Sequence, residues 1–137
     1  NGIAAGVSID SGVLKTCGDA LLAPGPNSGG GVGPGNGNPG DDDLQAIAGG
    51  NNSIDAAVIE FDFIPYYDTI RFRYVFGSDE YHMYAPAPPG VAVNDIFAFF
   101  VTSLDPTSTP AYLKKNIAVL PKTTTPVSIG TINCGKE

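Results

Sequence analysis

The strongest constraint in this sequence is a strict two-residue alternation across 57–76. In Ala57-Val58-Ile59-Glu60-Phe61-Asp62-Phe63-Ile64, residues Ile59, Phe61 and Phe63 fall on one face of an extended chain, and Glu60 and Asp62 on the other. Pro65-Tyr66-Tyr67-Asp68 reads as a turn. Beyond it, Ile70, Phe72, Tyr74 and Phe76 share a face, with Arg71 and Arg73 opposite. Closing the loop between Ile64 and Thr69 sets an antiparallel register: Asp62 across from Arg71, Glu60 from Arg73, Phe61 from Phe72. Opposite charges then meet on one face and rings on the other, each pair contributing about 0.2–1 kcal/mol. The pattern predicts a β-hairpin.

Other segments extend this reading. Ile96-Phe97-Ala98-Phe99-Phe100-Val101 is apolar on both faces, as a central strand covered on both sides would be. Asn116-Ile117-Ala118-Val119-Leu120 and Val127-Ser128-Ile129-Gly130-Thr131-Ile132 read as two further strands, with Pro121 and Pro126 bracketing their connection. Gly6-Val7-Ser8-Ile9 and Gly12-Val13-Leu14-Lys15-Thr16 read as short strands around an Asp10-Ser11-Gly12 turn, and Leu44-Gln45-Ala46-Ile47-Ala48 as one helical turn. The expected fold is all-β: a single antiparallel β-sandwich over 1–137, jelly-roll-like, with at most one short helix.

Composition agrees with that class. The 18 glycines and 12 prolines argue against a helical protein, while 42% hydrophobic and 15% charged residues argue against disorder throughout. A net charge of −7 gives no electrostatic footprint for nucleic acid or an anionic membrane surface. No apolar run is long enough for a membrane-spanning helix. The chain opens on Asn1-Gly2 and shows no signal peptide, so it is expected to be an excised piece of a larger protein. Sparse lysine and loops rich in Gly, Asn and Thr point outside the cytoplasm. The stretch 24–40 (PGPNSGGGVGPGNGNPG) is too low in complexity to pack a core. It lacks the GK[ST] of a phosphate loop and is followed by three acids, so a flexible surface loop is expected.

Six sets of residues are candidates for chemistry. Asp41-Asp42-Asp43, Asp79-Glu80 and Asn94-Asp95 gather the oxygen donors that calcium takes six to eight at a time, in no EF-hand spacing; the alternative is a solvated surface of turn residues. Glu60 and Asp62 resemble the carboxylate pair of a sandwich glycosidase, but the expected arginine partners would hold both ionised, which favours structural ion pairing. Tyr66, Tyr67, Tyr81 and Tyr84 could stack on sugar rings or anchor a protein partner, or simply close the core. His82 is the sole histidine and has no GxSxG elbow to serve, so it reads as a loop histidine. Cys17 and Cys134 either pair within the chain, pair between chains, or stand as separate thiols; an oxidising compartment favours the first. Asn51-Asn52-Ser53 is a formal glycosylation sequon.

The order of motifs resembles the choice-of-anchor L domain family, modules of secreted bacterial surface proteins. The likeness runs through Gly12-Val13-Leu14-Lys15-Thr16-Cys17-Gly18-Asp19-Ala20, Gly25-Pro26-Asn27, Gly40-Asp41-Asp42-Asp43-Leu44 and the alternating segment Ala57 to Pro65. It continues in Phe76-Gly77-Ser78-Asp79-Glu80-Tyr81, Asn94-Asp95-Ile96-Phe97-Ala98-Phe99-Phe100 and Pro126-Val127-Ser128-Ile129-Gly130-Thr131-Ile132-Asn133. Where the family carries Ser-Thr-Gly this chain has Thr16-Cys17-Gly18, so kinship implies nothing about a Cys17 bond. The resemblance implies a non-catalytic extracellular module with adhesive or structural work, flanking strands outside this piece, and Glu80, Asn94 and Asp95 as its polar hallmark. With Asp43 and Asp79 these form the expected calcium set. Open strand edges would be covered by other segments or other copies of the same surface protein. A carbohydrate-binding module using the four tyrosines is the second expectation, and a glycosidase the third.

Overall fold

A computed structural model describes residues 6, 8–49, 52–81, 83–85 and 93–132. Val7, Asn51, His82 and Cys134, which figure in the expectations above, lie outside the described residues. The chain is mostly non-helical and its ladders are antiparallel, in line with an all-β reading. A 3-10 helix covers Ala20–Leu22, and α1 covers Asp42–Ile47. Four short strands follow: β1 (Ile96–Phe97), β2 (Phe100–Val101), β3 (Lys115–Asn116) and β4 (Val127–Ser128).

The apolar segment 96–101 organises the ladders, but it pairs along one edge only, in two two-stranded sheets, and not as a strand with neighbours on both sides. Ile96 faces Ser128 and Phe97 faces Val127 in one sheet; Phe100 faces Asn116 and Val101 faces Lys115 in the other. Ile129 N–H donates to the Asp95 carbonyl, Ile117 N–H to the Phe99 carbonyl, and Ser103 N–H to the Tyr112 carbonyl. Residues 95, 99 and 103 are four apart, so their backbone groups point to one side of an extended strand. The segments 127–129 and 112–117 therefore dock end to end along the same edge. Between them the chain leaves as a small hairpin, with Val119 bridged to Pro126 and Leu120 N–H bonded to the Thr125 carbonyl. At the break between β1 and β2 the Asn116 side chain takes the place of a backbone carbonyl. Its Oδ1 accepts from Phe99 N–H at 3.1 Å and Ala118 N–H at 3.0 Å.

The buried centre lies where this hairpin returns. Ala85, Ala118, Val127 and Ile129 are buried, together with Ser128. The turn after β4 is closed by Thr131, whose hydroxyl accepts from Ser128 N–H and donates to the Pro126 carbonyl. That leaves no buried donor of Ser128 unmet, as a buried turn requires.

The hairpin expected over 57–76 does not form in the structure. Among the described residues this stretch carries no backbone ladder, and no strand falls within 8–16 either. The rings of the two arms make other contacts. Phe72 stacks on Phe99 at 4.3 Å between centroids and Tyr74 on Phe97 at 4.8 Å, so the second arm packs beside β1 instead of against Phe61. Phe61 meets Phe63, its own neighbour on the same arm, at 6.0 Å. The expected charge pairs are replaced too: Arg73 donates to the Ser8 carbonyl, and the ion pair recorded among the described residues joins Lys114 to Asp43.

The glycine-rich stretch is held by two distant carboxylates instead of being left loose. Asp55, 8% exposed, accepts Asn38 N–H on Oδ1 at 2.6 Å and Asn36 N–H on Oδ2 at 3.1 Å. Asp79 Oδ2 accepts the N–H groups of Gly31 and Val32. Glycine is required where the backbone comes close: a Cβ on Gly35 would sit 2.7 Å from Asp55 Oδ2, and one on Gly40 would overlap the Ser53 carbonyl. Asp41 then caps α1 by accepting from Leu44 N–H, and Ser53 Oγ accepts from Asp41 N–H. Gly40→Ala is therefore expected to cost about 1–3 kcal/mol, the range for overpacking. Gly77→Ala, whose Cβ meets nothing within 4 Å, should leave the urea midpoint nearly unchanged. Equal midpoints for the two variants would contradict this account of the loop.

Candidate functional site

The segment Ser78-Asp79-Glu80-Tyr81 follows the exposed second arm and turns back toward the buried centre. Ser78 makes the turn: its hydroxyl donates to Asp95 Oδ2 at 2.5 Å and accepts from Glu80 N–H at 3.1 Å. This is the short-range Ser motif in which a hydroxyl bonds the amide two residues on. Asp95 immediately precedes β1, so one hydroxyl ties this corner to the start of that strand. Asp79 reaches the other way, to Gly31 and Val32. Tyr84 N–H donates to the Glu80 carbonyl, and the Tyr84 ring lies 3.0 Å from where a Cβ on Gly30 would be. Tyr81 Oη donates to the Ile132 carbonyl at 2.6 Å. The corner thus joins the glycine-rich loop, the start of β1 and the turn after β4.

Three carboxylates meet here with unequal satisfaction. Asp79 and Asp95 each accept from a donor, but Glu80 Oε2 is buried with no hydrogen-bond partner. Burial, with the charges of Asp95 and Asp79 added, pushes the Glu80 carboxyl up to about 7. Burial and Asp95 also raise the Tyr81 hydroxyl. Lack of solvent and like charge both favour the neutral form of such a carboxyl.

The structure divides the other candidates. Of the expected calcium set, Asp79, Glu80 and Asp95 come together, and Asn94 stands beside Asp95 with its Oδ1 accepting from Gly130 N–H at 3.3 Å. Asp43 lies in another neighbourhood, gripped at 3.0 Å on both oxygens by Lys114. Among the described residues, no group of three or more His, Cys, Asp or Glu side chains is arranged to hold a metal ion. Of the four tyrosines, Tyr81 and Tyr84 are tied into the corner. Tyr66 and Tyr67 stand exposed on the arm, edge to face at 5.1 Å. Cys17 is exposed, and its expected partner lies outside the described residues. A cleft of about 650 Å³ between α1 and the 115–126 hairpin, lined by Ile47, Lys115, Ile117, Val119 and Pro126, holds none of the expected site residues.

Sequence reasoning missed Ser78 and Asp55. The Ser78 turn has a local signal, a serine two residues before an acid in a turn-forming Gly-Ser-Asp-Glu run. Asp55 has none, because its partners lie 17 and 19 residues away.

The Choice-of-anchor L domain profile matches residues 1–137, the whole chain. The chain belongs to the choice-of-anchor L family. This choice-of-anchor L domain is accordingly a module of a bacterial secreted or cell-surface protein. Comparison with curated proteins and with solved structures gave no match. No helix among the described residues is long and apolar enough to cross a membrane.

The corner of the domain carries a pH signature. Because the Glu80 carboxyl is raised from 4.5 to about 7 on folding, the folded state holds more of its proton than the unfolded chain between those values. Its stabilising contribution is complete below pH 4.5 and is lost as pH rises toward 7. In chelated buffer, thermal melts should show Tm falling across that window, and Glu80→Gln should flatten the fall. A wild-type slope that Glu80→Gln leaves intact would remove Glu80 as its source.

Proposed function

We propose that this choice-of-anchor L domain is a non-catalytic extracellular module that works by contact, adhering to surfaces and assembling with other copies of its parent protein. In this reading its ladders belong to an antiparallel sandwich completed beyond the described strands, and calcium steadies the acidic corner. The observation that carries the contact reading is the exposed arm. Phe61, Phe63, Ile64, Tyr66, Tyr67, Ile70, Phe72 and Tyr74 all remain at least two-fifths exposed along one continuous stretch. Contiguous apolar surface of this kind marks contact sites on soluble proteins. Beads coated with the domain should be retained on bacterial envelope material, and Tyr66→Ala/Tyr67→Ala should cut retention at least fivefold with Tm unchanged. Retention indifferent to these two rings would remove the arm as the contact.

Calcium is supported by the orphaned Glu80 Oε2 beside Asp79 and Asp95, an oxygen that a cation could satisfy while neutralising its neighbours. Bound at a hundredfold excess over Kd, calcium would stabilise the domain by about 2.7 kcal/mol. The expected result is a Tm several degrees higher in calcium than after chelation, abolished by Asp95→Ala. An identical Tm in both buffers would leave Ser78, Glu80 and Asp95 as a purely hydrogen-bonded corner.

Carbohydrate binding is the second reading, favoured by the exposed Tyr66–Tyr67 pair at the arm's tip. Under that reading, retention on envelope material would be competed away by soluble polysaccharide.

A further inference from the structure

The two arms on either side of Pro65-Tyr66-Tyr67-Asp68 carry complementary charges and matching rings, yet they do not pair with each other. Glu60 and Asp62 mark the first arm, Arg71 and Arg73 the second. Among the described residues Glu60, Asp62 and Arg71 form no ion pair, and Arg73 reaches only a backbone carbonyl. No backbone ladder is recorded along 57–76. Backbone left without a ladder partner, in a sequence of this alternation, can template pairing with another chain.

We propose that a second copy of this chain covers the arms, by reciprocal exchange: the acidic arm 57–64 of each copy pairs antiparallel with the basic arm 69–76 of the other. The proposal rests on the assembly part of the reading above and names its surface and its symmetry. The register is the one the sequence specifies, Glu60 across from Arg73, Asp62 from Arg71 and Phe61 from Phe72, now between copies. Exchange of identical elements closes on itself as a two-fold dimer, because each contact occurs twice. The segment 65–68, which bends at 66–68, is the hinge between the arms. Charge complementarity selects the occupant. An acidic arm alone or a basic arm alone would repel its own copy, but crossed arms satisfy both, and like charges directly opposite are excluded. The ring contacts of Phe72 and Tyr74 with Phe99 and Phe97 hold the basic arm beside the segment 96–101. It is therefore presented to the partner from a fixed base.

The test is a charge exchange read by sedimentation equilibrium on the intact chain. Wild type should run at about 28 kDa, twice the 14.1 kDa chain. Arg71→Glu/Arg73→Glu leaves both arms acidic, and Glu60→Arg/Asp62→Arg leaves both basic. Each variant alone should dissociate at least a hundredfold more readily than wild type. An equimolar mixture should recover a dimer within tenfold of wild-type affinity, because each acidic arm then meets a basic one. Far-ultraviolet circular dichroism of the separate variants confirms that they remain folded. Failure of the mixture to dimerise overturns the exchange and points to pairing within one chain. A wild-type dimer indifferent to both variants also overturns the exchange while leaving assembly through another surface. A monomeric wild type overturns the exchange and the assembly reading together, and the bead-retention result stands apart from all three.

Discussion

The bond on which most of this structure depends is the one between an aspartate carboxylate and a backbone N–H. Strands here are only two residues long, so ladders satisfy few amides. Aspartates take over. Asp19 accepts from Leu21, Asp41 from Leu44, Asp55 from Asn36 and Asn38, Asp79 from Gly31 and Val32, and Asp105 from Thr107. A charged acceptor makes a shorter and stronger bond than a neutral carbonyl does. The acidic balance of the chain is in this light an internal resource, used wherever glycine and proline prevent a regular partner. Glu80 is the exception. Its longer side chain carries an oxygen into the corner where Asp79 and Asp95 already occupy the donors, and that oxygen is left without one.

This division explains why the corner is the natural candidate site. Asp79 holds the glycine loop, Asp95 holds the Ser78 turn at the head of β1, and Glu80 lies between them. Any change in the charge at Glu80 acts on both neighbours at once, because both raise its carboxyl through their own charge. A proton and a cation are alternative ways to relieve the same repulsion. The first neutralises Glu80 alone, and the second neutralises the group and also supplies a partner for the orphaned oxygen.

How much of this was legible in the sequence depends on the range of each interaction. That 96–101 would pair was readable from its apolar run, and the turn of the 119–126 hairpin from Pro121 and Pro126 bracketing the connection. The helix start at Asp41 has a local signal, an acid three residues before Leu44. What escaped was long-range. Nothing near Asp55 announces that it will bond Asn36 and Asn38, and the composition of 24–40 reads as loose unless those bonds are known. The alternation over 57–76 predicts paired strands, yet no strand forms there, because alternation fixes only which side chains share a face. It does not fix which strand supplies the partner, and here the rings of Phe97 and Phe99 take Phe72 and Tyr74 from the arm that Phe61 was expected to meet.

That last distinction has a physical consequence for how such a chain meets others. A hairpin that closes on itself neutralises its own charges and hides its own rings, so it presents little to a neighbour. Arms whose matching groups stay apart keep both: an acidic row and a basic row, each backed by aromatic surface, joined by a short segment bearing two exposed tyrosines. Rings supply most of the contact area, and charges decide which surface is accepted and in what register. On an exposed surface at physiological salt, charges farther apart than about 8 Å are largely screened. Discrimination therefore operates only once the arms are nearly in register. Contact through these arms would start from apolar surface and be proofread by charge.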